Sequence, residues 1–374
     1  LGHNGQLSEM SELRRSLDKT NIDISHLNDT ETAAYDIGQN VSSGLDLPDS
    51  IRATYPMLQG GFSCVAIHGD LTVAFRDPLG IRPLELAIIP GGHMVASETR
   101  AFRSGESEYI GEVLPGEMIV MQGESLERFQ LADPNPKQDI FEIIYLANRT
   151  SLKFGESIDS IRRRFGEELA DQYPLTDKDY LVVPVPDTAM PIAEAYAQKL
   201  GLEFKSAIER DRYTPARSFM QKGVNLQRQT VEYKLRVVEG SVKNKHIIVH
   251  EDSIVRGTTM DRLIPELEAD GALSIIVLSA SPPIGYPDHA GVDSRDQLLL
   301  IASHKTPEQI RQKWNIKALG FLSLSRMIRA VGQPAEIFNL ASFNGVYPYE
   351  IGSHANNIKE SVSLQYLEDA HAGF

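Results

Sequence analysis

The run Glu251-Asp252-Ser253-Ile254-Val255-Arg256-Gly257-Thr258-Thr259 sets two carboxylates directly before small and hydroxyl-bearing residues with a single glycine. An apolar run, His246-Ile247-Ile248-Val249, precedes it, and a helical pattern from Thr259 to Asp270 follows, so the nonapeptide reads as a strand-to-helix loop. Backbone N–H groups at a helix start favour an anion, because they lack intrahelical acceptors and lie at the positive end of the helix dipole. Two hydroxyls and a glycine that admits close backbone approach fit the same anion, a phosphate. A phosphate would not sit against two carboxylates. Glu251 and Asp252 therefore face something else, such as sugar hydroxyls or a magnesium ion. A phosphorylated sugar satisfies both demands. The plain alternative is an ordinary strand-to-helix loop with a Ser or Thr cap.

The elements around this loop alternate. Ser157–Gln172 carries Ile158, Ile161, Phe165 and Leu169 on one helical face; Tyr180–Val185 is a short apolar strand ending in a turn at Pro186-Asp187-Thr188; Met190–Leu200 is a helix and Leu273–Ala280 a strand. Strands alternating with helices predict a doubly wound parallel sheet. Residues 1–131 read differently, as a β-rich layer: strands at 60–68 and Leu71–Phe75 around a turn, a turn at Arg76-Asp77-Pro78-Leu79-Gly80, strands at Met94–Ser97 and Met118–Met121, and a helix over Ser8–Leu17. The polar, Pro-rich segment Ala132-Asp133-Pro134-Asn135-Pro136 marks the boundary, giving domains 1–131 and 132–374.

Bulk composition narrows the classes. The chain has 374 residues, 41% hydrophobic and 24% charged, enough apolar material for sizeable cores. No apolar run approaches the ~18 residues of a membrane span, and no signal peptide is visible. A formal charge of −14 argues against a general nucleic-acid or membrane-surface binder. One cysteine, Cys64, excludes an internal disulfide and a cysteine-held metal cluster, and points to a reducing, cytoplasmic setting. Residue 1 is Leu, and Leu1-Gly2-His3-Asn4-Gly5 reads as the interior of a domain, which suggests a processed or truncated chain.

The segment Ile248–Thr259 resembles the phosphoribosyl-pyrophosphate (PRPP) motif of type I phosphoribosyltransferases, and its Asp-Ser-Ile-Val-Arg-Gly-Thr-Thr run is similar to the form found in the amidophosphoribosyltransferase family. The resemblance extends along nearly the whole chain. His3-Asn4-Gly5, Asp29-Thr30-Glu31, Phe75–Leu84, Val95–Glu98 and Leu114–Glu117 match the glutaminase half; Val183–Thr188, Asp211-Arg212-Tyr213, Arg217–Met220, Ser281–Ile284 and Phe343–Tyr347 match the transferase half. It implies part of an N-terminal-nucleophile αββα glutaminase sandwich followed by a type I phosphoribosyltransferase sheet. It also implies the first step of purine biosynthesis, in which PRPP, glutamine and water give 5-phosphoribosylamine, glutamate and pyrophosphate.

Residue roles follow from the same resemblance. Glu251 and Asp252 would bind the ribose hydroxyls and help hold Mg2+. Ser253, Ile254, Val255, Arg256, Gly257, Thr258 and Thr259 would hold the 5′-phosphate, and Asp187 and Thr188 would contact the pyrophosphate. The stretch from Arg212 and Tyr213 through Arg228 to Lys234 matches a loop that closes over PRPP; taken singly its cations read as a solvated charged loop. A lid of this kind keeps water from a reactive sugar. Asn4 and Gly5 would form the oxyanion hole and Asp29 would bind the glutamine α-amino group. Each could instead be a turn or cap residue: Asn-Gly is a common turn pair, and Asp29 could cap a helix. Homo-oligomers and purine nucleotide inhibitors are further expectations of the resemblance.

Several positions depart from the family. Its nucleophile is an N-terminal cysteine whose α-amino group is the base, whereas residue 1 here is Leu. Cys64, mid-strand between Ser63 and Val65, reads as a core cysteine. As given, the chain is expected not to hydrolyse glutamine. A fragment of a complete enzyme explains the retained Asn4, Gly5 and Asp29 better than loss of the glutaminase. Glu251 stands where Asp is usual, Ala189 where a hydroxyl is common, and Gln227 and Glu232 where the closing loop is often basic. Positions matching iron–sulfur ligands are Asp139, Asp288, Asn339 and Ser342, so no cluster is expected. Two other functions stay open: an ammonia-dependent transferase, and a PRPP-binding regulator or degenerate paralogue without turnover.

Overall fold

The structure, a computed structural model, describes residues 1–17, 26–210, 235–292, 294 and 296–374. Arg212, Tyr213, Gln227, Arg228, Glu232 and Lys234 lie outside the described residues.

The first part is built on an antiparallel sheet of β1 (Gly2–Glu9), β2 (Gln59–His68), β3 (Leu71–Arg76), β7 (Glu117–Gln122) and β8 (Ser125–Gln130), in that order. A second sheet has the order β5 (Gly92–Ala96), β4 (Glu85–Ile89), β6 (Glu108–Glu112). Period-two alternation sends side chains to opposite faces of the first sheet. On one face Phe62, Cys64, Phe75 and Met118 pack with Leu13 of α1 (Ser11–Leu17), Ala33 and Ile37 of α2 (Asp29–Ser42), and Ile51 of α3 (Leu47–Thr54). On the other face Ala74, Ile119 and Met121 pack with Leu86 of the second sheet and with Leu84 and Val113, which flank its strands. The result is a helix–sheet–sheet stack. The helix predicted from Ser8 begins at Ser11, because Leu7 and Glu9 are still paired to Gly60 and Gln59. The Glu9 carboxylate then accepts from the Ser11 N–H at 2.6 Å, which satisfies one of the N–H groups that the start of a helix leaves free.

The second part carries a six-stranded sheet in the order β13 (Glu203–Phe204), β12 (Tyr180–Pro184), β16 (His246–Glu251), β17 (Ser274–Ser279), β18 (Ala318–Phe321), β20 (His371–Ala372). All neighbours are parallel except the β18–β20 edge pair. Alternate residues feed two cores. Val182, Ile248, Ile276 and Leu278 face α4 (Ile158–Gln172), α5 (Met190–Leu200) and α9 (Leu324–Val331). Leu181, Val183, Ile247, Val249 and Val277 face α6 (Thr258–Ala269) and α8 (Pro307–Trp314). Burial on both faces explains why these strands read as continuous apolar runs.

The topology fixes where a ligand can sit. From β12 the chain passes through α5 to β13 on one side; from β16 it passes through α6 to β17 on the other. The winding reverses between β12 and β16, and the crevice beyond their carboxyl ends is the usual ligand site of such sheets. Both the 186–188 turn and the 251–259 loop open there.

The two parts meet closely. Arg82 is buried and donates to Asp139 at 2.5 Å, with Glu142 at 3.3 Å and Asn4 Oδ1 at 3.4 Å. A Cβ on Gly291 would lie 3.0 Å from the Gly5 Cα, so the backbones nearly touch. Within the second part, α4 and α5 also meet through a glycine: a Cβ on Gly166 would lie 2.0 Å from the Ile192 carbonyl oxygen. Gly166→Ala is therefore expected to force the helices apart and cost about 1–3 kcal/mol in chemical denaturation. Gly38→Ala, on α2 with nothing within 4 Å, is expected to be neutral or to stabilise by up to about 1 kcal/mol.

Candidate active site

Strand β16 ends in Glu251, and Val185 N–H and Ala280 N–H bond to the His250 and Glu251 carbonyls at 2.9 Å, clamping the strand end from both sides. The next residues turn into α6. Gly257 sits at φ +77°, a left-handed conformation that a side chain would strain, and no side chain caps the helix. The first N–H groups of α6 are thus left for an outside acceptor, as an anion site requires. Thr258 is exposed, Thr259 and Val255 are partly exposed, and Ile254 is buried in the core behind the loop. Arg256 is exposed on the outer side of the turn.

The acidic pair is withdrawn from water. Part of each residue reaches solvent, but Glu251 Oε2 is buried and has no hydrogen-bond partner in the structure. Burial, reinforced by Asp252, pushes the Glu251 carboxyl well above the usual carboxylate range. Burial raises Asp252 too, against hydroxyl donors and the charge of Arg162. The Thr188 hydroxyl donates to Asp252 Oδ2 and the Ser253 hydroxyl to Oδ1 at 2.8 Å. Thr188 thus ties the 186–188 turn to the acidic pair. Asp187 points outward, its side chain 74% exposed, with Arg210 at 3.4 Å; the peptide joining it to Pro186 is cis.

Two carboxylates side by side, one oxygen of them buried and unpartnered, suit a hard cation. Magnesium is commonly held by one or two carboxylates together with substrate phosphates. No group of three or more His, Cys, Asp or Glu able to hold a metal occurs among the described residues. The pair alone would be the protein's share of the coordination.

Beneath the pair lies His250, fully buried against Tyr196 at 4.5 Å between ring centroids, with neither ring nitrogen hydrogen-bonded. Burial pushes its pKa down to about 3, so it is neutral at physiological pH. Arg162 is also buried; it donates to the carbonyls of Ile143 and Ala147, both at 2.9 Å, and acts on Asp252 from the core side. Neither was singled out from the sequence. An Arg amid the apolar positions of α4 was the available signal.

In the first part, Asn4 and Gly5 lie on β1. Asn4 Nδ2 reaches Ser97 Oγ at 3.4 Å, and a Cβ on Gly5 would meet the Gly61 carbonyl oxygen at 2.0 Å. They form part of a strand, not a tight turn. Asp29 does not cap α2: Asn28 does, in a reciprocal capping box with Glu31. This leaves Asp29 free to accept from the Leu7 N–H at 3.1 Å, with His3 Nδ1 at 3.9 Å. His3 and Asp29 therefore meet on the α2 side of β1, while Asn4, one residue on, turns to the opposite face towards Ser97 and Arg82. Cys64 is buried in β2 and burial pushes its thiol up, so no thiolate is available there.

Asp139 and Asn339 are register partners on β9 (Gln138–Asp139) and β19 (Phe338–Asn339), and Asp288 is near enough to feel the charge of Asp139. Arg82 binds Asp139 here. Burial, ahead of Asp139, raises Asp288 to about 6, and burial raises Glu142 to about 7 against the pull of Arg82. Ser342 is buried beside them in sequence, its carbonyl accepting from Gly285 and Tyr286.

Comparison with known proteins bears on both parts. Residues 1–104 match the glutamine amidotransferase domain family and residues 155–293 the phosphoribosyl transferase domain family. The chain is 33% identical over 356 residues to the amidophosphoribosyltransferase of Synechococcus elongatus, covering 94% of this chain and 72% of that protein. It is 34% identical over 357 residues to that of Bacillus subtilis, covering 94% and 74%. Among solved structures, the B. subtilis glutamine PRPP amidotransferase complexed with ADP and GMP matches with a TM-score of 0.83 at 31% identity, over 97% of this chain and 78% of that one. A structure described as the allosteric regulatory enzyme of purine biosynthesis matches at 0.84 and 31%, over 96% and 77%.

Because burial raises both carboxyls of the acidic pair, the folded chain holds protons that the unfolded chain releases. Their contribution to stability is fully present below the ordinary carboxylate range and is lost as pH rises from that range through the raised folded-state values. Glu251→Gln removes that loss. The variant is expected to melt roughly 2–4 °C higher near pH 7, a gain of about 1 kcal/mol, and to match the parent near pH 4, as differential scanning calorimetry at the two pH values would measure.

Proposed function

The chain belongs to the amidophosphoribosyltransferase family, which carries out the first step of purine biosynthesis, and on that premise we propose that it binds PRPP in the crevice between residues 186–188 and 251–259. The observation that carries this reading is the adjacency of a carboxylate pair, with Glu251 Oε2 buried and unpartnered, to an uncapped helix start. The first suits a cation and sugar hydroxyls; the second suits the 5′-phosphate. In this reading Glu251 and Asp252 hold Mg2+ and the ribose hydroxyls, and Ser253, Ile254, Val255, Arg256, Gly257, Thr258 and Thr259 surround the phosphate. Asp187 and Thr188 meet the pyrophosphate. Arg212, Tyr213, Arg228 and Lys234, outside the described residues, are assigned to PRPP by the family resemblance alone.

The chemistry follows from charge. Ammonia attacks C1 as the C1–O bond to pyrophosphate breaks; the bonding pair leaves with pyrophosphate, and a proton leaves the new amine. The carbon becomes oxocarbenium-like, so the residues' task is to orient the sugar, exclude water and balance the departing charge. Mg2+ would supply positive charge beside the leaving group, and the acidic pair would fix it there. Thr188, bonded to Asp252 in the free chain, links the cation side of the site to the pyrophosphate side.

For the first part we infer a glutamine site on β1 and the start of α2, with Asn4 and Gly5 as oxyanion donors and Asp29 for the substrate α-amino group. Cys64 is not its nucleophile, being buried and undissociated. Ammonia is therefore the nitrogen source to use in testing the transferase. We further place the protein in the cytoplasm as a homo-oligomer responsive to purine nucleotides, in line with the ADP and GMP of the B. subtilis relative. No helix among the described residues is long and apolar enough to cross a membrane.

The test is pyrophosphate release from PRPP with Mg2+, with and without ammonia. Ammonia-dependent release is expected, reduced at least about a hundredfold by Asp252→Asn. Binding of PRPP without release, in a chain that melts cooperatively, would replace this reading with that of a PRPP-binding regulator.

A further inference from the structure

The phosphate loop rests on the only tryptophan of the chain. Trp314 ends α8 and is 5% exposed. A Cβ on Gly257 would lie 3.0 Å from Trp314 Cζ2 and 3.0 Å from Ile301 Cδ1, so the benzene edge of the indole is laid directly under the turn. The same ring donates through Nε1 to Asp261 Oδ1 at 2.7 Å, in the first turn of α6. Asp261 N–H in turn bonds to the Gly257 carbonyl at 2.9 Å, the first backbone bond of the helix, and Lys313 pairs with the same carboxylate. One side chain therefore fixes the loop's glycine and the helix behind it. It also turns a carboxylate toward indole N–H and ammonium, away from the uncapped N–H groups where a phosphate would sit. On the other side, Ile301 N–H binds the Val255 carbonyl at 2.9 Å.

We propose that Trp314 is a positioning residue for the 5′-phosphate loop: it presets the Gly257–Thr259 N–H groups and senses their occupancy through contact with Gly257. The proposal rests on the PRPP reading above and adds a residue that touches no substrate. It explains why position 257 must be glycine for two reasons at once, the positive φ and the ring beneath it. A residue acting this way alters how tightly the phosphate is held without altering the bond-breaking step, because preorganisation of a binding loop is expressed in both ground and transition states.

Excited at the red edge of the absorption band, where the 13 tyrosines do not absorb, intrinsic emission of the unmodified chain reports Trp314 alone. Titration with ribose 5-phosphate, and separately with PRPP and Mg2+, is expected to shift or quench that emission saturably; titration with pyrophosphate alone is expected not to. In the ammonia assay, Trp314→Leu is expected to raise KM for PRPP about tenfold, leaving kcat and the ammonia dependence within about twofold. Trp314→Phe, which keeps the ring edge but not the N–H, is expected to fall between. Melting curves identify any variant that fails to fold, and Asp261→Asn, which weakens the indole acceptor at an exposed site, then gives the same KM-selective change. An emission that ignores ribose 5-phosphate in a chain that turns over PRPP, or variants that lower kcat and leave KM unchanged, overturns the positioning role while the PRPP reading stands. A parent chain that neither binds nor cleaves PRPP overturns the PRPP reading itself.

Discussion

Glu251 and Asp252 are two carboxylates placed side by side at the end of a buried central strand, and much of the second part can be understood as the means of keeping them there. Withdrawing a charge from water costs several kcal/mol unless it is paired. Here the compensation is thin: two hydroxyls on Asp252, Arg162 acting from the core, and nothing on Glu251 Oε2. The neighbouring strands hold the position regardless, since β12 and β17 flank β16 in register from His246 onward. Burial disfavours the charged form of both carboxyls, and a cation placed beside them would offset that cost. The unfavourable electrostatics are then relieved, which favours binding of a metal-bearing, phosphorylated ligand over an anion alone.

The same constraint reaches the junction between the two parts. Arg162, the cation acting on Asp252, spends its hydrogen bonds on the carbonyls of Ile143 and Ala147. Those carbonyls lie in and just after the wide turn Glu142–Leu146, closed by Ala147 N–H to the Glu142 carbonyl at 2.9 Å. Glu142 lies 3.3 Å from Arg82, which also holds Asp139 and reaches Asn4. A run of packed and hydrogen-bonded groups therefore leads from Arg162 to β1, and Arg162 acts on Asp252 through its charge. Such a run establishes physical contiguity; coupling between the ends is a separate quantity that contacts alone do not measure. The junction is also overcharged, with Asp139, Glu142 and Asp288 gathered about Arg82 and all three raised above their ordinary range by burial.

Much of this was legible in the sequence, for identifiable reasons. The alternation of apolar strands with amphipathic helices from Ile158 onward carries its own period, so the parallel sheet could be read before any contact was seen. The 251–259 loop was legible because phosphate and sugar make opposite demands that few residue patterns meet together. What escaped was what depends on tertiary neighbours. His250 reads as one more residue of a strand until Tyr196 is found beneath it. Trp314 lies 57 residues beyond Gly257, and no local pattern links them. The start of α1 was misplaced by three residues because Ser8 resembles a cap, while pairing of Glu9 with Gln59 extends the strand past it. Asp29 was open between a cap and a binding group until Asn28 was seen to take the cap.

The two parts differ in how their sites are made. In the first, the residues assigned to glutamine lie on or beside a strand: Gly5 is held at φ +127° with its Cα face against the Gly61 carbonyl, Asp29 is fixed at the start of α2 against β1, and Asn4 turns to Ser97 and Arg82. In the second, among the described residues, the groups assigned to PRPP and their supports fall between Arg162 and Trp314, on loops whose ends are fixed by the central sheet. The first part approaches that set by backbone, through Gly5 against Gly291 and Gly61 against Ala290. The transferase chemistry can thus be argued from groups that the second part itself supplies. The contact between the parts is of another kind: there glycine backbones replace side chains and leave little room for an inserted group.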